Sequence, residues 1–233
     1  LLPRSTFSIF RSADAPAVWF AYSPDRKGEH PAEHLKTFEG TLQADAFAGF
    51  NRIYQTGRVT EAACWAHVRR KFYDLVAMHQ SPIATEAVER IAALYGIEKE
   101  IRGRPPDERL QVRREKAQPL LDSFHTWLRE SQAKVSRKSD VAVAIRYPLE
   151  LWPALTRYAA DGRVGDADNA AGRALRAVTL GRKNYLFLGA DAGGTSAAAI
   201  YSLIGSAKLN GIDPEAYLSY LLPRVASHPI NRI

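Results

Sequence analysis

Asp45 is the first residue whose type and setting could support chemistry. It lies near the end of the predicted strand at residues 42–46 (LQADA), between the small residues Ala44 and Ala46, so its carboxylate could face a cleft. Carboxylate oxygens are the ligands that a hard cation such as Mg²⁺ prefers. An aspartate in this setting is more often a turn former or a helix cap. The residue alone therefore leaves both interpretations open, metal ligand and turn former.

Cys64 and His67 have the C-x-x-H spacing that forms half of a zinc site. The chain contains no other cysteine, which argues against a structural zinc cage and excludes an internal disulfide. We therefore expect Cys64 to pack in the core and His67 to begin a helix near the cleft. A lone thiol is also compatible with a reducing cytoplasm, the compartment that we expect.

Two groups of cations could contact phosphate. The first group extends the helix predicted after His67 and consists of Arg69, Arg70 and Lys71. The second lies on one predicted helix and the turn after it, in Arg173, Arg176, Arg182 and Lys183. The chain has 32 Lys and Arg against 25 Asp and Glu, a net charge of +7, which favours a polyanionic partner such as nucleic acid. A solvated charged surface is the alternative for each group.

The glycine-rich segment at residues 189–194 (GADAGG) resembles a phosphate loop only in composition. It lacks the Lys-Ser/Thr ending of a P-loop and the spacing of a dinucleotide-binding fingerprint. We expect instead a tight turn into a helix whose cap is Thr195 or Ser196.

Apolar periodicity predicts the elements that would position these residues. Short apolar segments predict a hairpin of residues 6–10 and 17–22, and strands at 42–46, 59–65 and 185–188. Residues 82–160 have helical spacing with breaks at 104–106 and 136–139, which predicts an insertion of about three helices. Further helices are predicted at 169–178, 195–209 and 214–225. Together these elements indicate an α/β sheet with an inserted helical block.

The predicted organisation has three parts. Residues 1–80 would form the N-terminal part of the sheet-containing domain, 81–160 the helical insertion, and 161–233 the C-terminal part with the last helices. The chain has no run of 18 apolar residues, so we expect no membrane span. Its first ten residues do not have the pattern of a secretory signal.

Four long motifs resemble the IS66 family of insertion-sequence transposases. They are residues 42–51 (LQADAFAGFN), 63–72 (ACWAHVRRKF), 181–194 (GRKNYLFLGADAGG) and 201–217 (YSLIGSAKLNGIDPEAY). The resemblance extends from Pro16 to the C terminus, including the ending at residues 228–232. It implies a DDE transposase with an RNase H-like fold, which acts as a multimer on DNA at transposon ends. Three carboxylates would hold two Mg²⁺ ions in such a site.

The resemblance assigns the family's second acid to Asp45 and puts His67 beside the active site. The third acid is a glutamate in a segment resembling D-N-N-A-A-E-R, and alignment backwards from Arg173 puts Gly172 at that position. Glycine cannot bind a metal, and in a helix it costs about 0.5–1 kcal/mol relative to alanine. Asp168 is a candidate substitute on the same predicted helical face, but it is displaced by about 6 Å along the axis.

The family's first acid lies on the first strand of its fold, upstream of the predicted hairpin. Asp14 is the only acid before the match begins at Pro16, and it lies in a predicted turn. We therefore expect an RNase H-like sheet that lacks its first strand, and a degenerate copy that retains one acid of three.

Three functional hypotheses remain open at this point. The chain could still be an active enzyme if the missing strand is supplied elsewhere or if Asp168 serves as the third acid. It could be a non-catalytic protein that binds DNA or mixes with intact transposase subunits. It could also be an unselected remnant.

Overall fold

The computed structural model describes residues 6–11, 17–166, 178, 180, 189–225 and 227–229. The chain divides into two compact units, one formed by Leu1–His34 and Asn169–Ile233 and the other by Leu35–Asp168. Its strands are β1 (Thr6–Arg11), β2 (Val18–Ser23), β3 (Gly40–Ala44) and β4 (Val59–Ala63). Its helices are α1 (Glu29–His34), α2 (Asn51–Tyr54), α3 (Trp65–His79), α4 (Pro82–Glu100), α5 (Pro106–Val112), α6 (Gln118–Lys134), α7 (Asp140–Glu150), α8 (Trp152–Ala160), α9 (Asp191–Leu209) and α10 (Pro214–Val225).

The first unit is built on the predicted hairpin. β1 and β2 pair antiparallel, with Arg11 opposite Val18. Helix α9 packs against β2, and its Gly194 permits the close approach, because a Cβ at that position would lie 2.4 Å from the ring of Tyr22. The hairpin prediction is confirmed.

Two serines of α9 satisfy the outer edge of β2. Ser202 Oγ accepts from the backbone N–H of Phe20 at 2.8 Å, and Ser206 Oγ accepts from that of Val18 at 3.1 Å. An unpaired strand edge is a template for pairing with another chain. The helix therefore occupies these two edge donors, which an added strand would otherwise use.

Helix α9 begins earlier than the sequence predicts. Its first residue is Asp191, preceded by Ala190 in extended conformation without a side-chain cap, so the predicted cap by Thr195 or Ser196 is wrong. The Tyr22 hydroxyl donates to Asp191 Oδ1 at 2.7 Å. This contact attaches the first turn of α9 to the hairpin. Capping preferences concern neighbouring residues, so they do not predict a contact between residues distant in the sequence.

The last described helix, α10, begins as predicted. The carboxylate of Asp213 accepts from the backbone N–H of Ala216 at 2.8 Å, which is an N-cap bond. The helix at 169–178 and the strand at 185–188 lie outside the described residues, apart from Val178. Within the described part of the chain, no helix has the length and apolar character needed to cross a membrane.

The second unit combines a small parallel sheet with a helical block. β3 and β4 pair in parallel, with Ala44 opposite Ala63, and β4 leads through Cys64 into α3. The block consists of α4 to α8 and a π-helical turn at Arg113–Ala117, more helices than the predicted three. One of the extra boundaries lies at Leu151 and has a local cause, because Pro153 stands in the first turn of the helix that begins after it. The predicted breaks at 104–106 and 136–139 are confirmed.

One apolar core joins α3 to the helical block. Its largest buried side chains include Trp65, Phe72, Ile91, Leu121, Phe124, Leu128, Ile145 and Leu155. Burying one such side chain contributes about 1.5–3 kcal/mol. The Trp65 indole N–H also donates to the carbonyl of Leu155 at 3.0 Å, so the ring buries its apolar surface without leaving its donor unsatisfied. The chain is therefore a mostly helical α/β protein with a small parallel sheet.

Two glycines of the second unit give opposite expectations for stability. A Cβ at Gly162 would lie 1.8 Å from the carbonyl oxygen of Pro106, whereas a Cβ at Gly96, inside α4, would meet nothing within 4 Å. We expect Gly162→Ala to lower the free energy of unfolding by about 1–3 kcal/mol, because the backbone must move. The matched control Gly96→Ala should raise it by about 0.5–1 kcal/mol. Urea unfolding measures both, and equal effects would contradict the close approach at Gly162.

Candidate functional site

Asp45 follows the last residue of β3 and is exposed to solvent. Its Oδ1 accepts from the backbone N–H of Phe47 at 3.2 Å, which is the bond of an aspartate that forms a turn. Ala46 between them has a φ of 59°, in the left-handed region that non-glycine residues rarely adopt. The aspartate thus lies at the strand's end as predicted, and one of its oxygens stabilises the turn.

Tyr147 connects the helical block to this turn. Its hydroxyl donates to the Asp45 carbonyl at 3.3 Å, and the Lys71 ammonium lies 4.4 Å from the centre of its ring. Burial raises the pKa of the Tyr147 hydroxyl, and the nearby charge of Asp45 raises it further. Sequence reasoning missed Tyr147, because no spacing in the chain relates a residue of α7 to the end of β3.

Glu61 is a second carboxylate in this region that sequence reasoning missed. It lies on β4, opposite Leu42 of β3, and is half-buried. Burial raises the pKa of its carboxyl group, and the charge of Arg157 partly opposes this effect. The Arg157 Nε also donates to the Glu61 carbonyl at 2.8 Å.

The charges of Asp45 and Glu61 both affect the pKa of the Tyr54 hydroxyl. The Tyr54 hydroxyl is buried and has no hydrogen-bond partner among the described residues. Burial raises the pKa of Tyr54 well above its usual range, with further contributions from Glu61 and Asp45. The charges of Asp45 and Glu61 therefore add to the effect of burial in raising the pKa of both Tyr54 and Tyr147.

Cys64 and His67 occupy the start of α3. Cys64 is buried, and this supports the prediction that it packs in the core. His67 lies in the first turn, where its backbone N–H donates to the Cys64 carbonyl at 3.2 Å. The His67 Nδ1 is buried without a hydrogen-bond partner in the described part of the chain.

The described side chains do not fit a site for two Mg²⁺ ions. In the described ranges, no three His, Cys, Asp or Glu residues form a group that could hold a metal ion. Asp45 uses one of its oxygens in the turn. The family's other relevant positions, Asp168 and Gly172, lie outside the described residues.

The cations on α3 differ in exposure. Arg70 and Lys71 are exposed, whereas Arg69 is half-buried with its guanidinium 5.4 Å from the ring centre of Tyr73. The second predicted group lies outside the described residues and consists of Arg173, Arg176, Arg182 and Lys183. Only the α3 cations can therefore be assigned to a surface.

The residues just before the segment 167–184 are hydrogen-bonded to β3 and to the start of α3. The Gly165 carbonyl accepts from Gln43 Nε2 at 2.6 Å, and the Asp166 carbonyl accepts from the backbone N–H of Trp65 at 3.1 Å. Gln43 lies on β3, two residues before Asp45, which follows the strand. The segment that leads to the predicted third-acid position is thus attached to the strand that precedes Asp45.

Comparison with known proteins gives one consistent family. Residues 5–196 match the family described as Transposase IS66 family, and residues 202–233 match the IS66 C-terminal element. Uncharacterized protein y4hP of Sinorhizobium fredii is 41% identical over 240 residues, and y4qI and y4jD of the same organism are 37% and 35% identical. The matches cover 91–96% of this chain but 40–44% of those proteins, so the chain spans less than half of their length. No solved structure gives a significant match.

The raised pKa of Glu61 predicts a pH-dependent effect on stability. A carboxyl group whose pKa is higher in the folded state favours folding below its unfolded pKa, and this contribution is lost as the pH rises through the folded pKa. Glu61→Gln mimics the neutral form, so it should raise the free energy of unfolding at about pH 7. The gain should shrink at about pH 4.

Urea unfolding at the two pH values measures this effect. The control is Glu89→Gln on the exposed side of α4, which removes the same charge from a basic protein. A Glu61→Gln protein that is no more stable than the Glu89→Gln protein at neutral pH would contradict the burial of this carboxylate.

Proposed function

The chain belongs to the IS66 family of transposases, and from this we propose that it is the catalytic-domain portion of a DDE transposase that no longer cleaves or transfers DNA strands. The family implies an RNase H-like sheet, DNA as partner and Mg²⁺ as cofactor. A parallel pair of strands with an aspartate at the end of one and a helix after the other is compatible with that fold.

The proposal rests on one observation, the glycine at position 172. Alignment of the segment with the family's D-N-N-A-A-E-R pattern puts Gly172 where the family has its glutamate. A two-metal site stabilises both the attacking and the leaving oxygen, and it needs carboxylates to hold the ions. The side chain of glycine supplies no such ligand. The replacement therefore removes one carboxylate from the metal site, whatever the surrounding fold.

In this proposal, Asp168 does not replace the missing glutamate as a metal ligand. It precedes position 172 by four residues, which would correspond to about 6 Å along the axis of the predicted helix. Metal–oxygen distances of about 2.0–2.1 Å around Mg²⁺ tolerate little displacement. His67 would support the site beside Asp45, but a histidine cannot replace the charge of the missing glutamate at neutral pH.

A second candidate function is non-catalytic binding of DNA, at transposon ends and in mixed multimers with intact transposase subunits. The observation in its favour is the pair of exposed cations Arg70 and Lys71 on α3, in a chain of net charge +7. Exposed cations next to one another contact phosphates without reading sequence. An unselected remnant would have no reason to retain such binding.

Restoring the carboxylate tests the catalytic proposal. The protein expressed from its complete reading frame should not cleave DNA carrying its element's end. Where the complete reading frame also supplies the family's first acid, Gly172→Glu should raise Mg²⁺-dependent cleavage at least about a hundred-fold, the range that one electrostatic catalytic group contributes. Gly172→Gln, which has the same size without the charge, is the matched control. Cleavage by the unaltered protein that disappears in Asp45→Ala would overturn the proposal.

Salt dependence tests the binding proposal. Replacing Arg70 and Lys71 by glutamine should weaken binding to duplex DNA and reduce the slope of log affinity against log salt by about 2, since each phosphate contact contributes about 0.9. The matched control replaces exposed Arg114 and Lys116, which removes the same charge elsewhere on the same unit. Equal slopes for the two double variants would exclude α3 as the DNA-binding surface.

A further inference from the structure

Arg113 is a fully buried cation in the π-helical turn of the helical block. Its side chain is 0% exposed and forms an ion pair with Glu98 of α4, which is 11% exposed. Nε donates to Glu98 Oε1 and Nη2 donates to Oε2, both at 2.7 Å. This two-bond geometry fixes the guanidinium plane, and it leaves Nη1 pointing away from the carboxylate.

The remaining nitrogen binds the backbone after α8. Nη1 of Arg113 donates to the carbonyls of Tyr158 at 2.8 Å, Asp161 at 3.1 Å and Val164 at 2.9 Å. Carbonyls at the C-terminus of a helix have no partner within the helix, and a cation there is favourable. Arg113 thus terminates α8 and holds the loop that follows, together with Arg109, whose Nη2 donates to the Val164 carbonyl at 3.5 Å.

Two further contacts hold the end of the same stretch. We call residues 158–166 the clamped segment. The Gly165 carbonyl accepts from Gln43 of β3, and the Asp166 carbonyl accepts from the backbone N–H of Trp65 at the start of α3. The helical block and the parallel sheet therefore hold one stretch of chain from two sides.

We propose that Arg113 is a positioning residue, which fixes the clamped segment and thereby the point from which the chain enters residues 167–172. Its relevance to DNA transposition rests on the proposed function, in which position 172 corresponds to the family's third acid and is a glycine in this chain. In this account the helical block serves the site through a buried guanidinium and not through a side chain that touches DNA.

A purely stabilising role would have a different signature. Replacing a buried ion pair with apolar residues is often neutral for stability, whereas removing one partner leaves an uncompensated charge. Stability and positioning are therefore separable. Exchange rates of individual amides report positioning, because they are sensitive to local opening of the segment.

Hydrogen exchange of the full chain tests the proposal. Arg113→Lys keeps the charge but cannot reach Glu98 and three carbonyls together. It should accelerate exchange about ten-fold at the amides of Trp65, Asp161 and Val164, which are hydrogen-bonded within or to the clamped segment, while amides in the middle of α4 keep their rates. The control is Arg90→Lys, since Arg90 donates two hydrogen bonds to Glu86 on the same helix, away from the clamped segment.

If the single variant does not fold, the double variant Arg113→Met with Glu98→Met tests whether this ion pair positions the clamped segment. It should keep the unfolding midpoint close to that of the unaltered protein and still accelerate exchange at the same three amides. Unchanged exchange in the clamped segment, or a uniform increase over the whole unit, would overturn the proposal. The assay contains neither DNA nor metal, so DNA cleavage by the unaltered protein would defeat the proposed function and leave this result intact.

Discussion

The course of the chain from the helical block back to the sheet depends on one buried electrostatic arrangement, the guanidinium of Arg113 between the carboxylate of Glu98 and three backbone carbonyls. A charge is expensive to bury unless it is paired and hydrogen-bonded. The arrangement therefore requires α4, the π-helical turn and the end of α8 to meet at one point. That point is where the chain leaves the helical block and returns to the sheet.

Further contacts connect this point with the surroundings of Asp45. Gln43 and Trp65 hold the end of the clamped segment beside the parallel strands, and Tyr147 brings the block to the turn at Asp45. In the proposed function, this scaffold persists although position 172 no longer carries an acid. Scaffold and chemistry are separable, because packing and backbone bonds hold the chain whereas metal catalysis needs several carboxylates in one place.

Local patterns predicted much of the fold. The hairpin, β3, β4 and the start of α10 follow from alternation and capping, which involve residues close in the chain. Tyr147, Glu61 and Arg113 were not predicted as functional, because their partners are distant in sequence. The early start of α9 has the same cause, since the contact of Tyr22 with Asp191 joins residues 169 positions apart. Asp45 was singled out because a carboxylate between two small residues near the end of a predicted strand is a local feature of the sequence.

The central claim is that this chain does not bring together the carboxylates that a transposase needs. A crystal structure of the protein soaked with Mn²⁺, with the metal located by its anomalous signal, tests it most directly. We expect no ordered Mn²⁺ at Asp45. An ion held there by Asp45 and two further carboxylates, at oxygen distances of about 2.0–2.2 Å, would contradict the account.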